Sequence, residues 1–179
     1  MPHKSNFIEN IEKDLALREK KGLLRSLEGT SGVDFTSNDY LNYRQSADLK
    51  QAAQNAIHTF GVGSGASRLL RGNHCFIEKA EAYLADFSKR EAALLFSSGF
   101  AANIGIIKAL TGPGDLILSD ELNHASLIDG IKLSSASKKI FRHQDFNHLR
   151  HILESENYQR AFIVTESVFS MNGDLTDLQ

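Results

Sequence analysis

From residue 92 to residue 164 the chain alternates short apolar runs with amphipathic ones, and this alternation limits the possible folds more than any other feature. Segments 92–96, 115–118, 138–141 and 161–164 are predicted strands, and 100–110, 124–133 and 147–153 are predicted helices. A helix between two strands returns the chain to the edge it started from, so the strands run parallel and the crossovers are right-handed. A parallel sheet is covered by helices on both faces, and its strands are accordingly near-continuous apolar runs. The fold class is α/β. In such sheets ligands gather at the carboxyl ends of the strands, which directs attention to the loops beginning at Ser97, Ser119, His143 and Thr165.

Upstream, Phe7, Ile8, Ile11, Leu15, Leu23, Leu24 and Leu27 recur at helical spacing among Glu and Lys, predicting an amphipathic arm that ends near Glu28 and Gly29, with a turn over 29–32. Val33, Asp34 and Phe35 are strand-like and lead into the polar elbow Ser37-Asn38-Asp39-Tyr40-Leu41. A helix from Ser46 to Phe60 stops at Gly61. After the glycine-rich loop 61–68 comes another helix, with a stripe of Phe76, Ile77, Ala80, Leu84 and Phe87 and with Asn73 as its predicted cap. With only two prolines and no repeat or low-complexity tract, one body is expected rather than beads on a linker.

The 20 Lys and Arg against 22 Asp and Glu leave a formal charge of −2, which provides no field for nucleic acid or anionic lipid. No apolar run approaches the roughly 20 residues of a membrane span. The N-terminus has no apolar signal core, and the single cysteine, Cys75, cannot form an internal disulfide. A cytoplasmic location is the expectation.

The loop Ser97-Ser98-Gly99-Phe100-Ala101-Ala102-Asn103 opens a helix after an apolar run. Its free N–H groups and helix dipole suit a phosphate, although a serine cap with glycine for the turn explains it equally well. His124 stands at the next helix start, on the ligand side, where a neutral imidazole could stack on a planar ring or be merely structural. In the loop 165–174, Glu166, Ser167, Ser170 and Asp174 are an acid–base or metal site, metal being the weaker reading, or merely the caps of a strand end. No metal is expected, because carboxylates, cysteines and histidines do not recur at ligand spacing, and His143, His148 and His151 read as solvated surface residues. Ser135-Ala136-Ser137-Lys138 matches a Ser-x-x-Lys pattern but lies at the entering end of a strand, away from the ligand side. Gly61, Gly63 and Gly65 do not follow a strand as a dinucleotide fingerprint would.

Taken together, Ser37–Leu41, Gly63-Ser64-Gly65-Ala66-Ser67-Arg68, the stretch from Leu94 to Asn103, Leu122-Asn123-His124-Ala125-Ser126-Leu127 and the stretch from Val164 to Met171 resemble the α-oxoamine synthases. These pyridoxal-phosphate enzymes condense an acyl thioester with an amino acid and release carbon dioxide. The resemblance covers nearly the whole chain and implies the N-terminal part of the mainly parallel-sheet large domain of fold-type I pyridoxal-phosphate transferases. Residues 1–45 would be the arm and elbow, and 46–179 the incomplete cofactor-binding domain.

The resemblance further implies that Gly99 and Phe100 offer backbone donors to the phosphate of pyridoxal 5'-phosphate, that His124 stacks on its ring and assists proton handling, and that Ser170 hydrogen-bonds it. Arg25 and His124 would meet the substrate, Arg25 by a bidentate grip on a carboxylate. The glycine-rich stretch is most similar to that of the members joining a pimeloyl thioester, on CoA or a carrier, to L-alanine. Glycine- or serine-using relatives and a non-catalytic partner that keeps the fold are the alternatives. Leu41-Asn42 departs from the Leu-Gly of many relatives. The family's Asp-x-x-His segment and Schiff-base lysine have no counterpart here, so the chain is expected to be a truncated half, inactive alone, exposing an apolar sheet edge and marginally stable, aggregating or pairing as a homodimer.

Overall fold

The computed structural model describes residues 3–27, 29 and 32–178, with residues 3–6 as backbone alone. Glu28, Thr30 and Ser31, where the arm's end and most of the following turn were predicted, lie outside the described residues. The chain divides into two compact units, residues 1–63 and 64–179.

In the first unit, helix α1 spans His3–Lys20 and helix α2 spans Ala47–Phe60. The arm is shorter than its apolar period predicts. Gly22 adopts φ 66°, and the Leu23 N–H turns back to the Arg18 carbonyl at 2.8 Å. That left-handed closure ends the helix ahead of Leu23, Leu24 and Leu27. Nor is 33–35 a strand, for the Asp34 carboxylate accepts the Thr36 N–H at 2.8 Å and the Thr36 hydroxyl at 2.7 Å, folding the segment into a local turn. Helix α2 begins as expected, with the Ser46 hydroxyl accepting the Leu49 N–H.

In the second unit, a π-helical turn over Arg68–Gly72 leads to α3, Cys75–Phe87. Asn73 does not cap α3; His74 holds that position, and its side chain makes no cap bond to the helix. The Asn73 amide is engaged elsewhere, accepting from Arg68 Nε at 3.0 Å and donating to Glu78 at 2.6 Å. Arg68 also grips Glu81 through both its terminal nitrogens, at 2.5 and 2.8 Å. Glu81 accepts the Leu95 N–H as well, at 2.8 Å, and these bonds, the Arg68 one foremost, hold its carboxyl down at about 2.

The Leu95 bond also bears on the predicted strand over 92–96. This run forms no regular element and pairs with no strand among the described residues. The sheet has three strands, β1 Asp115–Asp120, β2 Ser137–Phe141 and β3 Arg160–Val164, all parallel and ordered β2-β1-β3. They alternate with α4 Gly99–Leu110, α5 Ala125–Leu133 and α6 Phe146–Ser155. The parallel α/β reading therefore holds, with one strand fewer than the period suggests.

Every residue of β1 is buried. Its alternation splits the core in two: Leu116 and Leu118 pack with Phe141, Leu149 and Ile152 on the α6 side, while Ile117 packs with Ile107, Ile131 and Ala136 on the side of α4 and α5. The right-handed crossover from β1 to β2 through α5 and the one from β2 past β1 to β3 through α6 run in opposite directions, which puts the two helices on opposite faces. Helix α5 approaches α4 closely at Gly130, where a Cβ would lie 3.1 Å from Ile107 Cδ1 and 3.2 Å from the Asn103 carbonyl. At the entering end, buried Asp115 receives both Arg160 Nε, at 2.9 Å, and Nη2, at 2.7 Å. The outer edge of β3 has no ladder partner among the described residues, and Ile163 is 52% exposed there.

Because Ile117 is fully buried whereas Ile163 is half exposed, Ile117→Ala is expected to cost about 2–5 kcal/mol and Ile163→Ala well under half as much. Urea unfolding of the two variants checks the ranking, and equal losses would contradict the assigned core.

Candidate active site

Four loops meet the carboxyl ends of the strands or open the helices beside them. Before α4, Ser98 is extended (φ −161°, ψ 158°) and its hydroxyl accepts the Ala101 N–H at 3.1 Å. The Gly99 and Phe100 N–H groups find no acceptor among the described residues, as expected of a first helical turn. Nothing lies within 4 Å of where a Gly99 Cβ would stand. The serine cap and the phosphate site are thus compatible readings: the cap satisfies one donor and leaves two aimed outward beside open space. A phosphate fits this end of α4.

After β1, Asp120 is 2% exposed. Its carboxylate accepts the Leu122 N–H at 2.9 Å and the Gln144 N–H at 3.2 Å, and so shapes the turn to His124. Asn123, also buried, donates to the Ser119 hydroxyl at 2.9 Å and to the Val164 carbonyl at 2.8 Å, fastening that turn to β3. Its Oδ1 is a buried acceptor with no partner among the described residues.

His124 is exposed and forms the N-cap of α5. Its Nδ1 accepts the Ser126 N–H at 3.1 Å and lies 2.7 Å from the Ser126 hydroxyl, which itself accepts from Asn103 Nδ2 at 2.8 Å. The Asn103 amide leaves the hydroxyl proton free to point at Nδ1, so the network assigns the ring proton to Nε2. The His124 backbone N–H donates to Glu166. Asn103 and Ser126 escape sequence reasoning because they act on His124 through the packing of α4 against α5.

Past β3, residues 167–176 form a hairpin closed by a Val168–Leu175 bridge, with Thr176 Oγ1 donating to the Glu166 carbonyl at 2.6 Å. Ser170 is exposed at its tip. Of the alternatives for this loop, Glu166 acts as a cap, on His124. Arg25 lies in the first unit, exposed on the segment after α1.

His143 is no solvated surface residue: its side chain is 19% exposed. Nδ1 lies 2.9 Å from Asp120 Oδ1, Nε2 lies 2.5 Å from Asp174 Oδ2, and the ring meets Phe169 edge-on at 4.5 Å. The bond to Asp120, then that to Asp174, raises its pKa above the ordinary 6.5, while His143 in turn lowers that of Asp174. His148 does not stand free either, its Nδ1 accepting the Arg142 N–H at 3.1 Å. Among the described residues no three His, Cys, Asp or Glu converge as a metal site, and no helix is long and apolar enough to cross a membrane.

A parallel sheet with helices on both faces, a helix start with two unspent N–H groups and a histidine cap at the head of the next helix define a doubly wound α/β domain. Residues 30–179 match the family model "Aminotransferase class I and II", and the chain belongs to that family. It is similar to 8-amino-7-oxononanoate synthase 2 of Bacillus subtilis (strain 168), 48% identical over 155 residues that cover 86% of this chain and 40% of the relative. The solved 8-amino-7-oxononanoate synthase from Francisella tularensis superposes with a TM-score of 0.68 at 38% identity, covering 82% of this chain and 40% of that one. A serine palmitoyltransferase variant from S. paucimobilis with bound PLP–myriocin aldimine gives a TM-score of 0.84 at 26% identity, covering 99% and 48%. The chain thus spans less than half the length of these relatives.

Ser126→Ala is expected to cost about 1–3 kcal/mol, since it leaves the part-buried Asn103 amide without its acceptor. It also removes one of the two donors that fix the His124 tautomer. Nitrogen-15 NMR of the ring should then show the Nδ1 resonance move as it loses that donor, with the proton still on Nε2 because the residue 126 N–H remains, and an unchanged Nδ1 shift would break the assigned link.

Proposed function

We propose that this chain is the cofactor-binding portion of an 8-amino-7-oxononanoate synthase, serving the decarboxylative condensation of a pimeloyl thioester with L-alanine in biotin biosynthesis. The observation that carries the reading is the start of α4, with two unspent N–H groups and open space at Gly99, in a chain 48% identical to a synthase of that name. Sequence favours alanine over serine as the amino acid, because identity reaches 48% to an 8-amino-7-oxononanoate synthase but 34% to a serine palmitoyltransferase.

In this reading the Gly99 and Phe100 N–H groups take the phosphate of pyridoxal 5'-phosphate, with the α4 dipole adding to the attraction. His124 lays its ring on the pyridine, held by Ser126 and Glu166, with Nε2–H free to hold or deliver a proton. The Ser170 hydroxyl hydrogen-bonds the cofactor from the hairpin tip. Arg25 offers a two-pronged guanidinium to a substrate carboxylate. Bound pyridoxal phosphate supplies the electron sink that lets a bond at the amino acid's α-carbon break. The lysine and aspartate that the family places on the cofactor have no counterpart within residues 1–179, and the family resemblance favours a homodimer as the assembly.

Titrating the chain with pyridoxal phosphate and with pyridoxal tests the phosphate cup. The phosphorylated form is expected to bind at least about tenfold tighter and to be displaced by inorganic phosphate. Gly99→Ala should keep the fold, since its Cβ meets nothing, while weakening only the phosphorylated ligand. Equal affinity for the two ligands would reject the site. Alanine-dependent thiol release from pimeloyl-CoA is expected only once a lysine-bearing C-terminal half of a relative is added; its persistent absence there would reject the synthase reading.

A further inference from the structure

The hydrogen bonds at the carboxyl end of the sheet close into a ring. Asp120 holds the Leu122 N–H and so the turn leading to His124. The His124 N–H goes to the Glu166 side chain, and the Glu166 carbonyl accepts Thr176 Oγ1. From Thr176 the hairpin leads back to Asp174, whose backbone carbonyl accepts the Phe169 N–H at 3.0 Å. Asp174 receives His143 Nε2, and His143 Nδ1 returns to Asp120.

His143 is the junction with a carboxylate on each side. A neutral imidazole donates from one nitrogen and presents a lone pair at the other. Facing two carboxylates, it would keep one bond and turn the other into a repulsion, so both bonds exist together only in the imidazolium. We infer that His143 is a positioning residue: as a cation it locks the Ser170 hairpin to the turn that carries His124, and its deprotonation releases one side of the lock. The consequence for ligand binding rests on the proposed roles of His124 and Ser170; the lock itself does not.

The groups facing His143 are Asp120 from β1, Glu121, which accepts the His143 N–H at 2.8 Å, and Asp174 from the hairpin, steadied by Gln144 Nε2 at 2.8 Å. On the α6 side, Asp145 is occupied by Arg142 at 2.7 Å and His148 by the Arg142 N–H. A histidine whose folded pKa is raised contributes stability fully present below its unfolded value of about 6.5 and lost as pH rises through the folded one. Asp174, lowered from 3.8, contributes above that value and loses its share as pH falls through the lowered one. The lock is therefore tightest from the ordinary carboxylate range up to near neutrality and opens on the alkaline side.

Nitrogen-15 NMR of the wild-type chain from about pH 5 to about pH 9 tests this without any substitution. Both ring nitrogens of His143 should be protonated at neutral pH and titrate above the ordinary value. Amide-exchange protection over 167–176 and at the His124 N–H should fall along that titration, while the β1 amides stay protected. Asp174→Asn should bring the titration back toward the ordinary value and flatten the hairpin's pH response. A His143 that titrates at or below the ordinary value, or hairpin protection indifferent to its titration, would overturn the lock. Pyridoxal phosphate affinity separates the two proposals. Where the wild type binds, Asp174→Asn is expected to weaken it about tenfold. Failure of the wild type to bind rejects the cofactor reading and leaves the lock to be judged on exchange and titration.

Discussion

A strand paired on both edges and buried on both faces can meet a ligand only at its ends, and β1 is in that position. Its parallel neighbours take its backbone groups, and its alternating side chains feed two separate cores. The last residue of this strand is Asp120, a carboxylate 2% exposed. Burial of a charge is tolerated only with partners, and Asp120 recruits the Leu122 and Gln144 N–H groups and the His143 ring. The turn to His124 and the loop after β2 are thus organised by a single buried charge, while Asn123 and Glu166 bring in the end of β3.

How much of this the sequence discloses depends on the range of the interaction responsible. The parallel α/β architecture follows from local periodicity and is legible, as are the α4 start at Gly99 and the placing of His124 at the head of α5. Segment 92–96 has the same apolar signature as β1 but no ladder partner among the described residues, because being a strand is a property of a pair and not of a run. Asn73 has the right type for a cap, yet Arg68 and Glu78 claim its amide. The arm's apolar spacing continues past Lys20, but one left-handed glycine ends the helix, a signal present in Lys20-Lys21-Gly22 and outweighed by the stripe. His143 is the least legible of all, since its carboxylates come from 23 and 31 residues away and no local pattern announces them.

The contrast between His124 and His143 shows how one side chain is put to two uses within one sheet edge. At His124, Nδ1 faces a backbone N–H and a hydroxyl whose own acceptor capacity is taken by Asn103, so the ring must offer a lone pair there and carry its proton on Nε2. At His143, both nitrogens face carboxylates, so the ring must offer two protons. The first arrangement leaves a flat, exposed ring with one outward donor, suited to contact with a ligand. The second consumes every hydrogen-bonding atom of the ring inside the protein, so it can act only through what it holds. Because Glu166 and Thr176 join the two rings through the hairpin neck, the charge on the inner histidine bears on the position of the outer one, and through it on the cofactor site proposed there.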